Sequence, residues 1–219
     1  MQRTLAMNDD NWENLNGPVA REIEVLNHAN QINVLNGLIM FLLEHRGPTG
    51  MGMPPMPDNT ALLNLHHAGT LFLLSDPGCY RNTEVVVADE NDNVIHKPPP
   101  WQMVTPFMQH FFRELSSVWT SGDALDAAAY ALWRINWIHP FKNGNGRTAR
   151  AFCYACLCLK MGVLLPGRQT VVELITHNRT AYEASLRAAD ASPNRRPDLG
   201  PMRAFLDSLL QQQIQTISP

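Results

Sequence analysis

The chain has 219 residues, of which 45% are hydrophobic, and a formal net charge of -3 at pH 7. This length is enough for one compact domain with a hydrophobic core. The negative charge argues against nucleic acid as a partner, and no apolar run reaches the ~18 residues of a transmembrane helix, so no membrane partner is expected. Because residues 1–4 lack the apolar run of a signal peptide, we expect a cytoplasmic protein, or an effector secreted by a route without an N-terminal signal.

The predicted secondary structure is mainly α-helical. Residues 1–16 are polar and are expected to be loosely ordered. Apolar residues then recur at helical spacing in several segments. These segments predict helices over residues 18–44, 60–74, 101–119, 125–135, 147–161, 171–189 and 202–213. Asn59 or Thr60 is the predicted N-cap of the second helix.

A segment rich in Gly, Pro and Met, residues 46–59, is predicted to be a connector. Its methionines, Met51, Met53 and Met56, would otherwise form a binding surface. This segment divides the chain into an N-terminal helical arm with its linker (1–59), a core domain (60–190) and a C-terminal connector with a helix (191–219).

Two short β-prone runs interrupt the helical pattern. They comprise Val85, Val86 and Val87, and then residues 94–96, on either side of the polar segment 88–93. This arrangement predicts a β-hairpin. An isolated hairpin is only marginally stable in water, so its presence suggests a purpose other than stability. The alternative is an ordinary surface hairpin.

The most informative stretch is residues 139–150, a polar loop that leads into a helix. Gly144 and Gly146 allow the backbone to turn tightly beside a ligand, and the first N–H groups of a helix attract anions. Arg147 and Arg150 share one face of the first helical turns and can both donate to phosphate oxygens. His139 just upstream is suited to accept a proton near neutral pH.

The run from His139 to Arg150 resembles the signature of Fic-domain proteins, His-Pro-Phe-x-x-Gly-Asn-Gly-Arg-x-x-Arg. The resemblance implies a mainly α, Fic-like helical bundle with a short β-hairpin flap. It also implies a protein adenylyltransferase, which moves AMP from ATP to a Ser, Thr or Tyr hydroxyl of a target protein, with His139 as general base. One position departs from the signature: Asn143 stands where the family usually has Asp or Glu.

The resemblance further implies roles for single residues. Mg²⁺ would be held weakly, since Asn143 offers an uncharged oxygen. The flap formed by residues 85–87 would register the target protein by strand addition. ATP would contact Asn143, Gly144, Asn145 (α-phosphate), Gly146, Arg147 (β-phosphate), Arg150 (γ-phosphate), and Asn178 and Tyr182 beside the base.

Several alternatives remain open at this stage. A Fic-like enzyme could transfer UMP, phosphocholine or phosphate, or the chain could be a non-catalytic module that binds a nucleotide or a peptide.

No segment matches the self-inhibitory Ser/Thr-x-x-x-Glu-Gly/Asn helix of the family. Asp9 with Glu13 is a near match and Glu24 a poorer one, so a separate inhibitory partner is a further option. Zinc at Cys153 and Cys156 is disfavoured relative to buried thiols. The oligomeric state is left open.

Overall fold

The structure is a computed structural model that describes residues 12–45, 52–89, 91, 93–190 and 197–216, together with the backbone of residues 5–7. The predictions that concern Asp9, Met51 and residues 191–196 lie outside this part of the chain. The described part contains eight α-helices and three short strands. The strands are β1 (Leu5–Met7), β2 (Val85–Ala88) and β3 (Val94–His96); the helices are α1 (Gly17–Glu44), α2 (Asn59–Thr70), α3 (Val104–Ser121), α4 (Ala124–Ile138), α5 (Asn145–Met161), α6 (Val171–His177), α7 (Arg179–Asp190) and α8 (Gly200–Gln215). The mainly α fold with a β-hairpin is thus confirmed.

Helices α4 and α5 form the centre of the bundle and pack against each other. Residues 151–159 of α5 are all buried, because its alanines, cysteines and leucines let neighbouring helices approach on every side. The three α5 cysteines are buried free thiols. Helix α3 is instead amphipathic and buries one stripe at helical spacing: Val104, Met108, Phe111, Leu115 and Trp119.

Helix α1 packs directly on α2 and α5, so the N-terminal arm shares the main core. Leu35 and Ile39 of α1 belong to this core. Two buried amides fix α1 on α2: Asn27 Nδ2 donates to the Leu71 carbonyl at 2.7 Å, and Gln31 Nε2 donates to the Leu65 carbonyl at 2.8 Å. The arm is therefore placed next to the loop that contains the signature.

The hairpin belongs to a three-stranded sheet in the order β1-β2-β3. Strand β1 pairs in parallel with β2, in the register Leu5 to Val85 and Met7 to Val87. Strand β3 pairs with β2 in the antiparallel sense. The prediction of loose order for residues 1–16 is therefore wrong at residues 5–7, which gain backbone pairing with β2. This pairing spans about eighty positions and leaves no local sequence signal.

Several helix boundaries also differ from the prediction; α2, for example, ends at Thr70 rather than at residue 74. Asp58, rather than Asn59 or Thr60, caps α2 by accepting a hydrogen bond from the Ala61 N–H at 2.9 Å. The predicted helix over 171–189 consists of α6 and α7, separated at Asn178 (φ -110°, ψ 40°). None of the helices in the described ranges is long and apolar enough to span a bilayer.

Candidate active site

His139 stands at the C-terminal end of α4 in a left-handed conformation (φ 51°, ψ 61°). A left-handed backbone is unfavourable for a residue with a side chain, by about 1–2 kcal/mol. Its N–H donates to the Ile135 carbonyl at 2.9 Å, and its carbonyl accepts from Arg81 Nε at 2.8 Å. These bonds on both sides of the residue hold the turn from which the signature loop begins.

The side chain of His139 opens into a cavity of about 300 Å³ between the hairpin, α4 and α7. The pKa of His139 is lowered to about 3, chiefly by burial and then by electrostatic repulsion from His96 and Arg81, against the opposing hydrogen bond to the backbone of Asn136. The imidazole is therefore neutral at pH 7 and keeps one nitrogen as a proton acceptor. The cavity is lined by Val87, Ile95, His96, Trp133, Asn136, Trp137, His139, Glu183, Leu186, Arg187 and Asp190.

The loop after His139 is fixed by the side chain of Asn145. Its Oδ1 accepts from the Phe141 N–H at 2.8 Å, and its Nδ2 donates to the Phe141 carbonyl at 2.9 Å. Gly144 has φ 75°, and a Cβ added there would lie 2.7 Å from Thr70 Cγ2, so only glycine fits. Because Gly144 is the residue before α5, no side chain caps this helix N-terminus. Backbone N–H groups of the first turn are thus left to bind an anion.

Asn143 is buried, and its amide oxygen accepts from the Gly144 N–H at 2.6 Å. Its backbone carbonyl is bonded to His66 Nε2 at 3.0 Å. Since a carbonyl only accepts, Nε2 of His66 carries the proton, and Nδ1 accepts from the Gly78 N–H at 2.8 Å. The His66 ring also stacks on Phe141 with centroids 3.7 Å apart. A neutral His66 therefore holds the signature loop in place through its bond to Asn143 and its stacking on Phe141.

This arrangement predicts that stability falls at acidic pH. Burial, followed by the charges of Arg147 and His67, lowers the pKa of His66 to about 3, against the opposing bond to Asn143. Because the unfolded chain binds a proton near pH 6.5 and the folded chain does not, the stabilisation is complete above pH 6.5 and is lost as pH falls toward 3, by about 1.4 kcal/mol per pH unit.

Denaturant unfolding between pH 7.5 and 4.5 tests this expectation. The wild-type chain should lose more unfolding free energy than His66→Gln, which cannot titrate. The exposed histidine on α3 provides the matched control, and His110→Gln should follow the wild-type curve. Parallel curves for wild type and His66→Gln would contradict the assigned protonation state.

The two signature arginines differ in their surroundings. Arg147 Nη2 forms an ion pair with Glu24 Oε1 at 2.6 Å, and Nη1 donates to the Gly69 carbonyl at 3.1 Å. Its guanidinium also lies 5.0 Å from the ring centre of Trp12. Arg147 thus links α5 to α1 and α2. Arg150 Nη1 lies 3.3 Å from the position a Cβ would take on Gly146, beside the N-terminus of α5.

The acidic residues considered for self-inhibition contact other parts of the site. Glu24 belongs to the ion pair with Arg147, so a phosphate bound to Arg147 would compete with a carboxylate of α1. Glu13 lies 3.0 Å from Lys142 and accepts from the N–H and hydroxyl of Ser75. Lys142 also pairs with Asp76 at 3.1 Å. Lys142 therefore joins the signature loop to the segment before α1.

The predicted base-binding residues occupy different environments. Tyr182 is 7% exposed and stacks on Phe205 of α8, and burial raises the pKa of its hydroxyl. Asn178 lies between α6 and α7, where its amide donates to the Leu174 carbonyl at 2.9 Å. Neither residue lines the cavity at His139. In the hairpin, Val85 is buried, Val86 is partly buried, and Val87 lines that cavity.

Sequence reasoning did not assign three residues that the structure places at the site: His66, Arg81 and His96. His96 Nε2 donates to the Trp137 carbonyl at 2.9 Å and so joins β3 to α4. Arg81 is 2% exposed and bonded to the turn at His139. The sequence contains no local signal for the role of Arg81, because its acceptor at His139 lies 58 residues away.

Few side chains at the site could act as ligands of a divalent cation. Among the residues described, no group of three or more His, Cys, Asp or Glu side chains could hold a metal ion. The Asn143 amide oxygen is the one predicted ligand, and it already accepts from Gly144. An oxygen has a second lone pair, so this fits a hard cation that takes most of its ligands from phosphate and water.

Comparisons with known proteins agree with this fold. Residues 57–157 match the Fic/DOC family. A Fic family protein from Desulfovibrio desulfuricans G20 has a similar structure, with a TM-score of 0.61 and 19% identity over 91% of this chain and 66% of that one.

Two further structures are similar. Fic-1 of C. elegans (residues 134–508) has a TM-score of 0.58 and 22% identity over 89% of this chain and 49% of that one. BepC, a VirB-translocated effector of Bartonella tribocorum solved with bound AMPPNP, has a TM-score of 0.54 and 14% identity over 87% of each chain. This chain thus spans about two thirds of the Desulfovibrio chain and half of the nematode one.

Proposed function

Because residues 57–157 of this chain belong to the Fic/DOC family, we propose that it is a protein adenylyltransferase that transfers AMP from ATP to a Ser, Thr or Tyr hydroxyl of a target protein. One observation carries the proposal: a neutral histidine opens into a cavity and is followed directly by a loop that ends at an uncapped helix N-terminus. A proton acceptor beside an anion site is what transfer of a phosphate-containing group onto a hydroxyl requires.

In this proposal His139 accepts the proton of the target hydroxyl as its oxygen attacks the α-phosphorus of ATP. The bond from the α-phosphorus to the bridging oxygen breaks, and pyrophosphate leaves. The N–H groups at the start of α5 bind the α-phosphate and Arg150 the terminal phosphate. The side chain of Asn145 does not bind the phosphate directly, since both ends of its amide are bonded to Phe141. It instead fixes the loop that carries the phosphate site. The proton acceptor and the phosphate site are thereby held on one rigid segment.

An uncapped helix N-terminus with Arg150 beside it is chemically suited to a nucleoside triphosphate, and BepC, which is similar in fold, was solved with AMPPNP bound. Mg²⁺ would be held by the phosphates with Asn143 as its protein ligand, and it would neutralise charge on the phosphate oxygens. The uncharged ligand also favours a second candidate, an enzyme of the same fold that transfers UMP, phosphocholine or phosphate. The target would lie along the flap at residues 85–87, near the cavity.

A labelling assay tests the proposed function. The purified chain is incubated with α-³²P-ATP and Mg²⁺ or Mn²⁺, alone and with cell lysate, and labelled protein is counted. The same assay with UTP or CDP-choline labelled in the transferred group, and with γ-³²P-ATP for phosphate transfer, tests the second candidate. Protein labelled from α-³²P-ATP supports adenylyl transfer. Label that appears only with one of the other donors replaces adenylyl transfer by the second candidate. If no donor gives label although calorimetry detects ATP binding, the chain is a binding module.

Asn143→Asp is expected to lower the Mg²⁺ concentration needed for half-maximal labelling. A carboxylate can still accept from Gly144 and adds a charge that attracts the cation. Asn64→Asp, the same exchange at an exposed position of α2, is the matched control and should leave the Mg²⁺ dependence unchanged. An identical Mg²⁺ dependence of Asn143→Asp and wild type would remove Asn143 as a metal ligand.

A further inference from the structure

Arg81 connects the hairpin to the turn at His139. Its side chain is fully buried and donates to four backbone carbonyls, on Thr83 (3.1 Å), Pro99 (2.6 Å), Ile138 (3.5 Å) and His139 (2.8 Å). Its own N–H donates to the Pro140 carbonyl at 2.8 Å. The planar fork of a guanidinium can serve several acceptors in fixed directions, which an ammonium cannot.

The acceptors of Arg81 belong to two structural units. Thr83 precedes β2 and Pro99 follows β3, so these two carbonyls belong to the two stems of the hairpin. Ile138 and His139 are the last residue and the C-cap of α4, where helix carbonyls lack partners and carry partial negative charge. One buried cation thus fixes the hairpin stems relative to the end of α4.

The charge of Arg81 is balanced mainly by carbonyl dipoles. Among the residues that the structure describes, Arg81 has one carboxylate within 4.0 Å, that of Glu84, whose side chain is 41% exposed. A buried cation is costly to desolvate, and here it remains charged because the carbonyls at the end of α4 replace water. Its bond to the His139 carbonyl also stabilises the left-handed backbone of that residue.

We propose that Arg81 is a positioning residue for group transfer: it sets the distance between the proton acceptor His139 and the hairpin that registers the target. This inference rests on the proposed function. Because Arg81 binds backbone atoms of the hairpin stems and of the turn at His139 and Pro140, and none of α5, its loss should affect the reaction step more than ATP binding. A displacement of about 1 Å can reduce a rate on the order of 100-fold.

The test compares Arg81→Lys and Arg81→Gln with wild type. Arg81→Lys keeps the charge and can reach fewer carbonyls, so kcat should fall about 10- to 100-fold while KM for ATP stays within about twofold. Arg81→Gln should show a larger fall in kcat. Arg113→Lys, the same exchange at an exposed position of α3, should match wild type in both constants. A folded Arg81→Lys with wild-type kcat would overturn the proposal, as would an equal loss in kcat and in ATP affinity.

A second readout does not depend on activity. The imidazole of His139 can be titrated by NMR, and the groups that face it are Arg81, His96 of β3, and the charged residues of α7 that line the cavity, Glu183, Arg187 and Asp190. Arg81→Gln removes a positive charge near His139, so the pKa of His139 should rise, and Arg81→Lys should raise it less.

The two readouts separate two kinds of failure. If wild type transfers no group from any donor, the proposed function fails, and the His139 titration still reports whether Arg81 controls this histidine. If wild type is active and a folded Arg81→Lys keeps the wild-type kcat, the positioning role is wrong, whatever the titration of His139 shows. If Arg81→Gln does not fold, Arg81→Lys decides the question alone.

Discussion

Replacing His139 by alanine is expected to reduce group transfer by about 10²- to 10⁴-fold, the range over which a general base contributes to a rate. The imidazole is neutral at pH 7 and faces the cavity, so its removal takes away the proton acceptor. ATP affinity should change little, because the anion site belongs to the N-terminus of α5. Labelling with α-³²P-ATP and calorimetry of ATP binding measure the two quantities on the same sample.

The matched control is His110→Ala, which removes an exposed histidine of α3. It should keep wild-type transfer and binding. Transfer by His139→Ala at the wild-type rate would show that another group accepts the proton. A simultaneous loss of ATP binding would show instead that the turn at His139 supports the anion site.

Arg147→Ala is expected to lower stability, and Arg150→Ala is expected to lower ATP affinity. Arg147 forms an ion pair with Glu24 in which each side chain is 19% exposed, so its removal leaves a largely buried carboxylate unpaired and should cost about 2–4 kcal/mol of unfolding free energy. Arg150→Ala should lower ATP affinity about 10-fold or more, since a charge-assisted bond to phosphate is worth about 1.5–3 kcal/mol. Denaturant unfolding and calorimetry separate the two effects.

An exposed ion pair supplies the control for this comparison. Arg179 pairs with Glu183 one helical turn away and is 66% exposed, so Arg179→Ala should change stability by no more than about 0.5 kcal/mol. The assignment of Arg147 would be overturned if Arg147→Ala kept wild-type stability but lost ATP affinity. Arg147 would then be a phosphate ligand, as the family resemblance implies.

The sequence predicted those features that depend on neighbouring residues. The two helices around the signature, the hairpin and the connecting loop follow from spacing, glycines and β-branched residues, and the structure has them in place. The orientation of the Arg147 side chain, toward Glu24, could not be predicted in this way. It shares a helical face with Arg150, but its partner Glu24 is 123 positions away and depends on how α1 packs.

The remaining differences have the same physical origin. The break at Asn178 lies in a segment without Gly or Pro, and the amide of Asn178 competes for a helical carbonyl there. The buried Arg81 resembled a loop residue in the sequence, because its acceptors come from two distant turns. Strand β1 has three residues and pairs with β2, a partner about eighty positions away.

Strand β1 also has a consequence for how a target would reach the proposed flap. Strand β2 has β1 on one side and β3 on the other, so a segment that pairs with β2 must first displace Leu5–Met7. A strand tethered to its own acceptor competes at an effective concentration on the order of millimolar. Such a competitor weakens every incoming segment by the same factor. It therefore sets a threshold on target concentration rather than a preference among targets, unless the target adds to the outer edge of β3.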